Sequence, residues 1–362
     1  MEKKHNFGAG PCILPVEVTR QAAEAVINWN GSGLSILEVS HRSKEFEKVM
    51  DKTRTLIKEL LQVPKDYHIL FMQGGASTQF SMIPLNFLAW NKPAIYLNSG
   101  FFAQKAIKEA RHFGEVEIIA TSEDKSYRYI PDHYSIPEDA AYFHCTSNNT
   151  IEGTQMKEFP KSPIPICCDM SSDIGSRKIN IRDFDLIYAG AQKNLGPAGL
   201  TIVIISEALL NNQSQNIPAM WDYRIYRDHK SLYNTPAVFS IYATMLNLTW
   251  IKGQGGVEEM EKRNTRKAKM LYEEIDRNPL FQGTANIAHR SNMNVTFKME
   301  TEELEKEFLD YAENKGMVGI KCFPTQGGFR VSLYNALPLS SVMELIHCMS
   351  AFQQKKKQQI SK

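Results

Sequence analysis

The feature that most constrains this chain is a regular alternation of short apolar runs with helix-like stretches, from about residue 16 to residue 260. Such alternation is typical of parallel strands linked by crossover helices. We therefore predict an α/β fold with a mostly parallel seven-stranded sheet sandwiched by helices. The predicted strands are 68–72, 94–97, 116–120, 141–145, 164–168, 186–189 and 200–205. Most of them end in small or polar residues, and ligands in such sheets bind beyond the carboxyl ends of the strands.

The pattern of the sequence changes after the glycine-rich break GQGG at 253–256. The later elements are predicted as a charged helix at 257–276, strands at 292–297 and 329–333, and helices at 302–315 and 340–353. This order is typical of a compact α+β unit. We therefore predict a large domain of residues 16–260 and a small domain formed by residues 261–362 together with residues 1–15.

The charge balance argues against a polyanionic partner. The 362 residues include 42 Lys and Arg against 40 Asp and Glu, so we expect neither nucleic acid nor a membrane as a partner.

The six cysteines lack the spacing of metal ligands, which predicts no metal and a reducing compartment. The first residues lack an apolar leader, and the longest apolar run, 202–205, is far too short to span a bilayer. We therefore expect a cytoplasmic protein.

The most informative segment for chemistry is 183–199, in which an apolar strand leads into small residues and a single lysine, Lys193. A lysine on a solvated helix face is the usual alternative. Here flanking glycines and Pro197 favour close backbone packing instead. A desolvated lysine loses its proton readily and can act as a nucleophile. Lys193 is therefore a candidate catalytic residue, and the solvated helix face stays open as the alternative.

Asp169 ends a neighbouring predicted strand and should face the same crevice. A carboxylate there would suit pyridoxal phosphate, because it would keep the pyridine nitrogen protonated and the ring an electron sink. The alternative is a turn or N-cap role shared with Ser171 and Ser172.

A third element, QGGASTQF at 73–80, follows a strand and precedes a helix. Backbone amides at such a helix start can hold a phosphate, although an ordinary strand-to-helix turn would have the same sequence.

The order of phosphate loop, carboxylate and lysine resembles the fold-type I pyridoxal-phosphate enzymes. The resemblance covers nearly the whole chain and narrows to the phosphoserine aminotransferases within the class V aminotransferases. The motifs that carry it are FGAGP at 7–11, EVSHR at 38–42, YAGAQKN at 188–194, NTP at 234–236 and LYNA at 333–336. It implies transfer of the amino group of glutamate to 3-phosphohydroxypyruvate, pyridoxal 5'-phosphate as cofactor, and a homodimer with shared active sites.

The resemblance also implies site residues by position. Cofactor contacts are implied for Ala76, Ser77, Phe102, Thr150, Asp169, Gln192 and Lys193, and from the second subunit for Asn234 and Thr235. Phe102 stands where the family has a stacking tryptophan, and Thr150 could alternatively be a turn hydroxyl. Substrate contacts are implied for Arg330, which would grip the α-carboxylate, and for His41 and Arg42, which would face the phosphate or distal carboxylate. Without the resemblance, His41 and Arg42 fit a solvated turn before a helix.

The chain departs from the family beside the substrate. Phe323 and Pro324 replace a family His-Arg pair, and Asn292 replaces a family arginine. Each lost charge-assisted hydrogen bond would cost about 1.5–3 kcal/mol, so phosphate recognition is where this chain should differ. Two alternatives therefore stay open: a related aminotransferase with a different small oxo acid as acceptor, and a catalytically weak binding or regulatory protein. A cysteine desulfurase shares this fold but would need a reactive cysteine. Only its predicted position in a loop makes Cys322 a candidate for that role.

Overall fold

The computed structural model describes residues 4–88, 92–212, 216–322 and 327–360. The helices are α1 (Val16–Asn28), α2 (Lys44–Leu61), α3 (Gly75–Phe87), α4 (Phe101–Ala110), α5 (Glu207–Asn211), α6 (Tyr223–Asp228), α7 (Val238–Gly253), α8 (Gly256–Arg277), α9 (Glu302–Glu313) and α10 (Leu339–Ile360). The strands are β1 (His5–Asn6), β2 (Tyr67–Met72), β3 (Ala94–Asn98), β4 (Val116–Thr121), β5 (Phe143–Thr146), β6 (Asn148–Asn149), β7 (Thr154–Gln155), β8 (Ile166–Asp169), β9 (Leu186–Gly190), β10 (Thr201–Ser206), β11 (Gln282–Gly283), β12 (Asn294–Lys298), β13 (Met317–Val318) and β14 (Phe329–Ser332).

The central sheet has seven strands in the order β2-β10-β9-β8-β5-β3-β4. Strand β10 runs antiparallel to both of its neighbours, whereas β9, β8, β5, β3 and β4 pair in parallel. The predicted α/β fold with a mostly parallel seven-stranded sheet is confirmed. The predicted strands match the observed ones, with ends displaced by one or two residues.

Helices cover both faces of this sheet. Successive strand residues point to opposite faces, so on β9 Ile187 and Ala189 join one core, with α1, α2 and α7. Leu186 and Tyr188 join the other core, with α3, α4 and α6. Burial on both faces explains why the strands appear in the sequence as continuous apolar runs. Among the described residues, no helix combines the length and apolar character needed to cross a membrane.

A second, smaller sheet has the order β11-β12-β14 and is antiparallel. We call β11–β14, α9 and α10 the C-terminal unit. Its core includes Phe297, Phe308, Phe329 and Phe352, and Phe7 from the start of the chain packs into it. Strand β1 adds to β13 in parallel, so the N-terminal segment lies against this unit. The domain boundaries at residues 15 and 260 stay a prediction.

A buried lysine on α8 anchors the turn that follows β14. Lys267 is 2% exposed, and its ammonium donates to the carbonyl oxygens of Leu333 at 2.6 Å, Tyr334 at 2.8 Å and Leu337 at 3.1 Å. Three acceptors match the three N–H donors of the ammonium. The Tyr334 hydroxyl donates to the carbonyl of Ala9 at 2.9 Å. The turn therefore joins α8, β14 and the N-terminal segment.

Candidate active site

The carboxyl ends of two adjacent strands bring Asp169 and Lys193 to the same edge of the sheet. Asp169 is the last residue of β8 and pairs in register with Tyr188 of β9. Lys193 follows the end of β9 in a tight turn, where the backbone N–H of Leu195 donates to the carbonyl of Ala191 at 3.1 Å. Parallel strands end at the same edge, so both side chains face one crevice.

The Lys193 ammonium contacts two residues of this crevice. It donates to the hydroxyl of Thr150 at 2.6 Å and lies 4.9 Å from the centre of the Phe102 ring. Burial lowers the pKa of Lys193 to about 8, an effect that Arg330 strengthens and Asp169 opposes. At pH 8 roughly half of the lysine would be the neutral amine, the nucleophilic form, whereas an ordinary lysine is almost entirely charged.

Asp169 is 5% exposed, and burial raises the pKa of its carboxyl while the nearby charge of Lys193 lowers it. Its Oδ1 accepts the backbone N–H of Ser171 at 2.8 Å. The turn role expected as the alternative is therefore present, and it does not exclude the chemical role. Although burial disfavours the charged form of Asp169, a cationic ring nitrogen beside this carboxyl would favour it and could pair with it.

Two short segments place the groups around Lys193. Thr150 lies between β6 and β7, whose antiparallel pairing aligns Asn149 with Thr154. Phe102 lies in the first turn of α4, directly after β3 and Gly100. These two segments, far from Lys193 in the chain, bring a hydroxyl and an aromatic ring to the Lys193 ammonium.

The glycine-rich loop between β2 and α3 has the geometry of an anion cradle. Gly74 takes a φ of 92° and is the N-cap of α3, and no side chain caps this helix start. A Cβ on Gly74 would lie 1.8 Å from the Thr78 hydroxyl, so only glycine fits. Ala76 and Ser77 lie in the first turn, where the backbone N–H groups have no intrahelical acceptor. Such amides can bind a phosphate without help from a lysine.

Arg330 approaches the crevice from β14 of the C-terminal unit. It stands opposite Thr296 in the antiparallel register, and its backbone N–H donates to Ile320 at 2.8 Å. Its Nε atom is buried without a hydrogen-bond partner in the described part of the chain. A buried unpaired guanidinium nitrogen is costly and would be satisfied by a carboxylate ligand. Its charge also influences the pKa of Lys193.

Gln192 lies beside Lys193, and its carbonyl accepts the backbone N–H of Cys12 at 2.9 Å. The N-terminal segment thus packs on the lysine turn, and a Cβ on Gly10 would meet the Lys193 side chain at 3.4 Å. Burial raises the pKa of the Cys12 thiol to about 12, so this cysteine stays protonated. It therefore does not compete with Lys193 as a nucleophile.

Other predicted residues lie outside this group in the single chain. Arg42 is exposed and His41 partly buried, in the turn before α2, where Ser43 accepts the backbone N–H of Phe46 at 3.2 Å. Asn234 and Thr235 precede α7, and the Thr235 carbonyl accepts from the side chain of Gln73 at 3.4 Å. Phe323 and Pro324 lie outside the described residues.

Two further residues near Lys193 were not predicted from the sequence. Asn194 follows Lys193 directly, and its Oδ1 accepts the backbone N–H of Asn335 at 3.0 Å, which ties the lysine turn to the C-terminal unit. Both asparagines lie in motifs quoted for the resemblance, so the motifs were the available signal. The other is Glu152, a buried carboxylate whose charge interacts with Lys193 and Arg330. No spacing marks Glu152 in the sequence.

Comparison with known proteins identifies the family of this chain. The model of the family described as Aminotransferase class-V matches residues 5–345. The phosphoserine aminotransferase of Bacteroides thetaiotaomicron is 54% identical over 353 residues, which cover 97% of this chain and 99% of that protein. The solved phosphoserine aminotransferase of Bacillus circulans subsp. alkalophilus is 42% identical, with a TM-score of 0.96, over 98% of this chain and 100% of that one.

A third relative was solved with its cofactor. The PLP-bound phosphoserine aminotransferase of Trichomonas vaginalis is 35% identical, with a TM-score of 0.92, over 96% of this chain and 100% of that one. The fold of this chain is thus that of an aminotransferase. The chain belongs to the class V aminotransferases and, within them, to the phosphoserine aminotransferase family.

Proposed function

We propose that this protein is a pyridoxal-phosphate-dependent transaminase that moves the amino group of glutamate to 3-phosphohydroxypyruvate, giving O-phospho-L-serine and 2-oxoglutarate. The relatives named phosphoserine aminotransferase support this activity. The observation that carries it is that Lys193 and Asp169 lie at the ends of adjacent strands, where burial lowers the pKa of Lys193 to about 8 and the charge of Asp169 opposes this shift.

The residues present fit pyridoxal 5'-phosphate. The uncapped start of α3, with Ala76 and Ser77, suits the phosphate, Phe102 offers a face for the ring, and Asp169 offers a counter-charge for its nitrogen. When bound, this cofactor supplies an aldehyde that condenses with amines and a ring that accepts electrons from the substrate α-carbon.

Lys193 would have two tasks in this site. Its neutral amine would hold the cofactor through the aldehyde, and when free it would carry a proton to and from the substrate α-carbon. Thr150 fixes the position of the lysine nitrogen by accepting its hydrogen bond. Arg330 would orient the substrate by gripping the α-carboxylate with two parallel N–H donors.

Steady-state kinetics with glutamate as donor and a set of oxo acids as acceptors tests this function. We expect the highest kcat/KM for 3-phosphohydroxypyruvate. Because the family His-Arg pair is replaced by Phe323 and Pro324, we expect a KM raised by about tenfold or more relative to an enzyme that keeps the pair. A preference for an unphosphorylated oxo acid would favour the second candidate, a related aminotransferase. No half-reaction with glutamate would favour a binding protein.

A double substitution sharpens this test. Phe323→His with Pro324→Arg should lower the KM for 3-phosphohydroxypyruvate and leave the KM for glutamate less changed, because only the former carries a phosphate. Cofactor absorbance and melting temperature are the controls, since removing proline frees the backbone. No gain in the correctly folded double variant would contradict phosphate recognition at this position.

The proposal includes a cytoplasmic homodimer in which Asn234 and Thr235 reach the partner's cofactor phosphate. Its support is the exposure of apolar side chains that neighbour the proposed ligand residues in the chain. Thr235 is exposed, Tyr233 next to Asn234 is 44% exposed, and Leu37 in the segment before His41 is 63% exposed. Large apolar side chains that stand in water next to proposed ligand residues suit a subunit interface.

Hybrid dimers test the shared site. Mixing Lys193→Ala subunits with subunits that carry Asn234→Ala and Thr235→Ala should produce heterodimers with one site that has both defects and one that has neither. We expect the heterodimers to regain about half of the wild-type activity, whereas each parent homodimer stays nearly inactive. Verified heterodimers without regained activity would argue that each chain completes its own site.

A further inference from the structure

A buried carboxylate, Glu152, stands between three parts of the site. It is 5% exposed and lies in the turn between β6 and β7, two residues after Thr150. Its Oε1 accepts the backbone N–H of Phe101 at 2.7 Å. Its Oε2 is buried without a partner in the described part of the chain. Burying a carboxylate oxygen without a partner destabilises the fold, so its presence here suggests a specific role.

The contact with Phe101 fixes the start of α4. The first N–H groups of a helix have no partner within it, and Gly100 has no side chain that could cap them. Glu152 supplies the missing acceptor from another segment of the chain. Phe102 is the next residue, and its ring lies 4.9 Å from the Lys193 nitrogen. The position of that ring therefore depends on the reach of the Glu152 side chain.

The same turn contacts the C-terminal unit. The hydroxyl of Thr296 donates to the carbonyl of Glu152 at 3.0 Å. Gly153 has a φ of 74°, and a Cβ there would lie 2.4 Å from the Thr296 hydroxyl, so the two segments are in close contact. Thr296 stands opposite Arg330 in the register of β12 and β14. The turn thus contacts β12, the strand that pairs with the strand of Arg330, and it also carries Thr150 and reaches the start of α4.

We propose that Glu152 is a positioning residue: its carboxyl holds the first turn of α4 so that the Phe102 ring faces the cofactor, and its backbone joins that turn to β12, the strand paired with that of Arg330. The proposal rests on the proposed function in so far as it concerns a bound cofactor. Glu152 does not touch the reacting atoms. Its contribution is the reach of one oxygen atom to the Phe101 N–H group.

Two conservative substitutions separate the effect of the length of the Glu152 side chain from the effect of its charge. Glu152→Gln keeps an oxygen within reach of Phe101 and loses the charge, whereas Glu152→Asp keeps the charge and shortens the side chain by one methylene, about 1.5 Å. Glu158→Ala, which removes an exposed carboxylate nearby, is the matched control. Both test variants are small changes, so folding is expected to survive, and melting temperature checks it.

The first readout needs no cofactor. Hydrogen exchange in the cofactor-free chain should show the amides at the start of α4 opening about tenfold faster in Glu152→Asp than in wild type, and unchanged in Glu152→Gln and Glu158→Ala. The second readout is the Kd for pyridoxal phosphate with the visible circular dichroism of the bound cofactor. We expect about a tenfold weaker Kd and an altered dichroism band in Glu152→Asp alone.

Unchanged hydrogen exchange in Glu152→Asp would overturn the proposal. Equal effects of the two variants on exchange, or a larger effect of Glu152→Gln, would also overturn it, because the role would then belong to the charge of Glu152. A changed exchange with unchanged Kd and dichroism would also overturn it, because the ring would then not depend on Glu152. A wild-type chain that does not bind pyridoxal phosphate would instead contradict the proposed function, and the exchange experiment would then decide the role of Glu152 alone.

Discussion

Replacing Lys193 with alanine should lower kcat by at least about a thousandfold, because under the proposed function this one side chain would supply both the amine that holds the cofactor and the base that moves the α-proton. Among the described residues, Lys193 is the amine that contacts both Thr150 and Phe102. Steady-state transamination measures the loss, and the cofactor absorbance of the variant shows whether binding survives.

A chemical label identifies the lysine independently. Borohydride reduction of the wild-type protein, followed by peptide mapping, should place the cofactor on Lys193. Lys161→Ala removes an exposed lysine and should leave label and rate unchanged. A label on a different lysine, or substantial activity in Lys193→Ala, would remove Lys193 from its proposed role.

Replacing Asp169 with asparagine should lower kcat by at least about a hundredfold while the fold stays nearly as stable. The amide keeps an oxygen for the Ser171 N–H group, so the turn survives, but the negative charge opposite the ring nitrogen is lost. A charge-assisted hydrogen bond is worth about 1.5–3 kcal/mol, and the ring also becomes a poorer electron acceptor.

Asp169→Ala is the comparison for this experiment. It removes the charge and also leaves the Ser171 N–H group unpaired, which should cost about 1–3 kcal/mol of stability in addition. Melting temperature and kcat measured on both variants separate the two roles of the carboxyl. Near-normal turnover in a folded Asp169→Asn protein would show that the turn role is its whole contribution.

Much of the fold could be predicted from local patterns. Buried parallel strands leave continuous apolar runs, and crossover helices leave a different period, so the seven strands were found with ends off by one or two residues. The antiparallel direction of β10 was not predictable in this way. Direction depends on how a strand is connected and packed, and the apolar run of β10 has the same appearance in either direction.

The sequence by itself determined where the candidate residues lie along the strands and helices. Asp169 ends a strand, Lys193 follows one, and the glycines at 74 and 75 lie at the start of a helix, so their place at the carboxyl edge of the sheet follows from local order. The identity of the family was also a property of local motifs, which the class V match and the relatives confirm.

Only the tertiary structure decided how these residues are held. Thr150 meets the Lys193 nitrogen, Asn335 holds Asn194, and Glu152 reaches Phe101 across long separations in the chain. The low pKa of Lys193 has the same origin, since burial and the opposed charges of Arg330 and Asp169 cause it. The physical reason is that hydrogen bonds and burial depend on distances through space, which a one-dimensional pattern of apolar and polar residues does not specify.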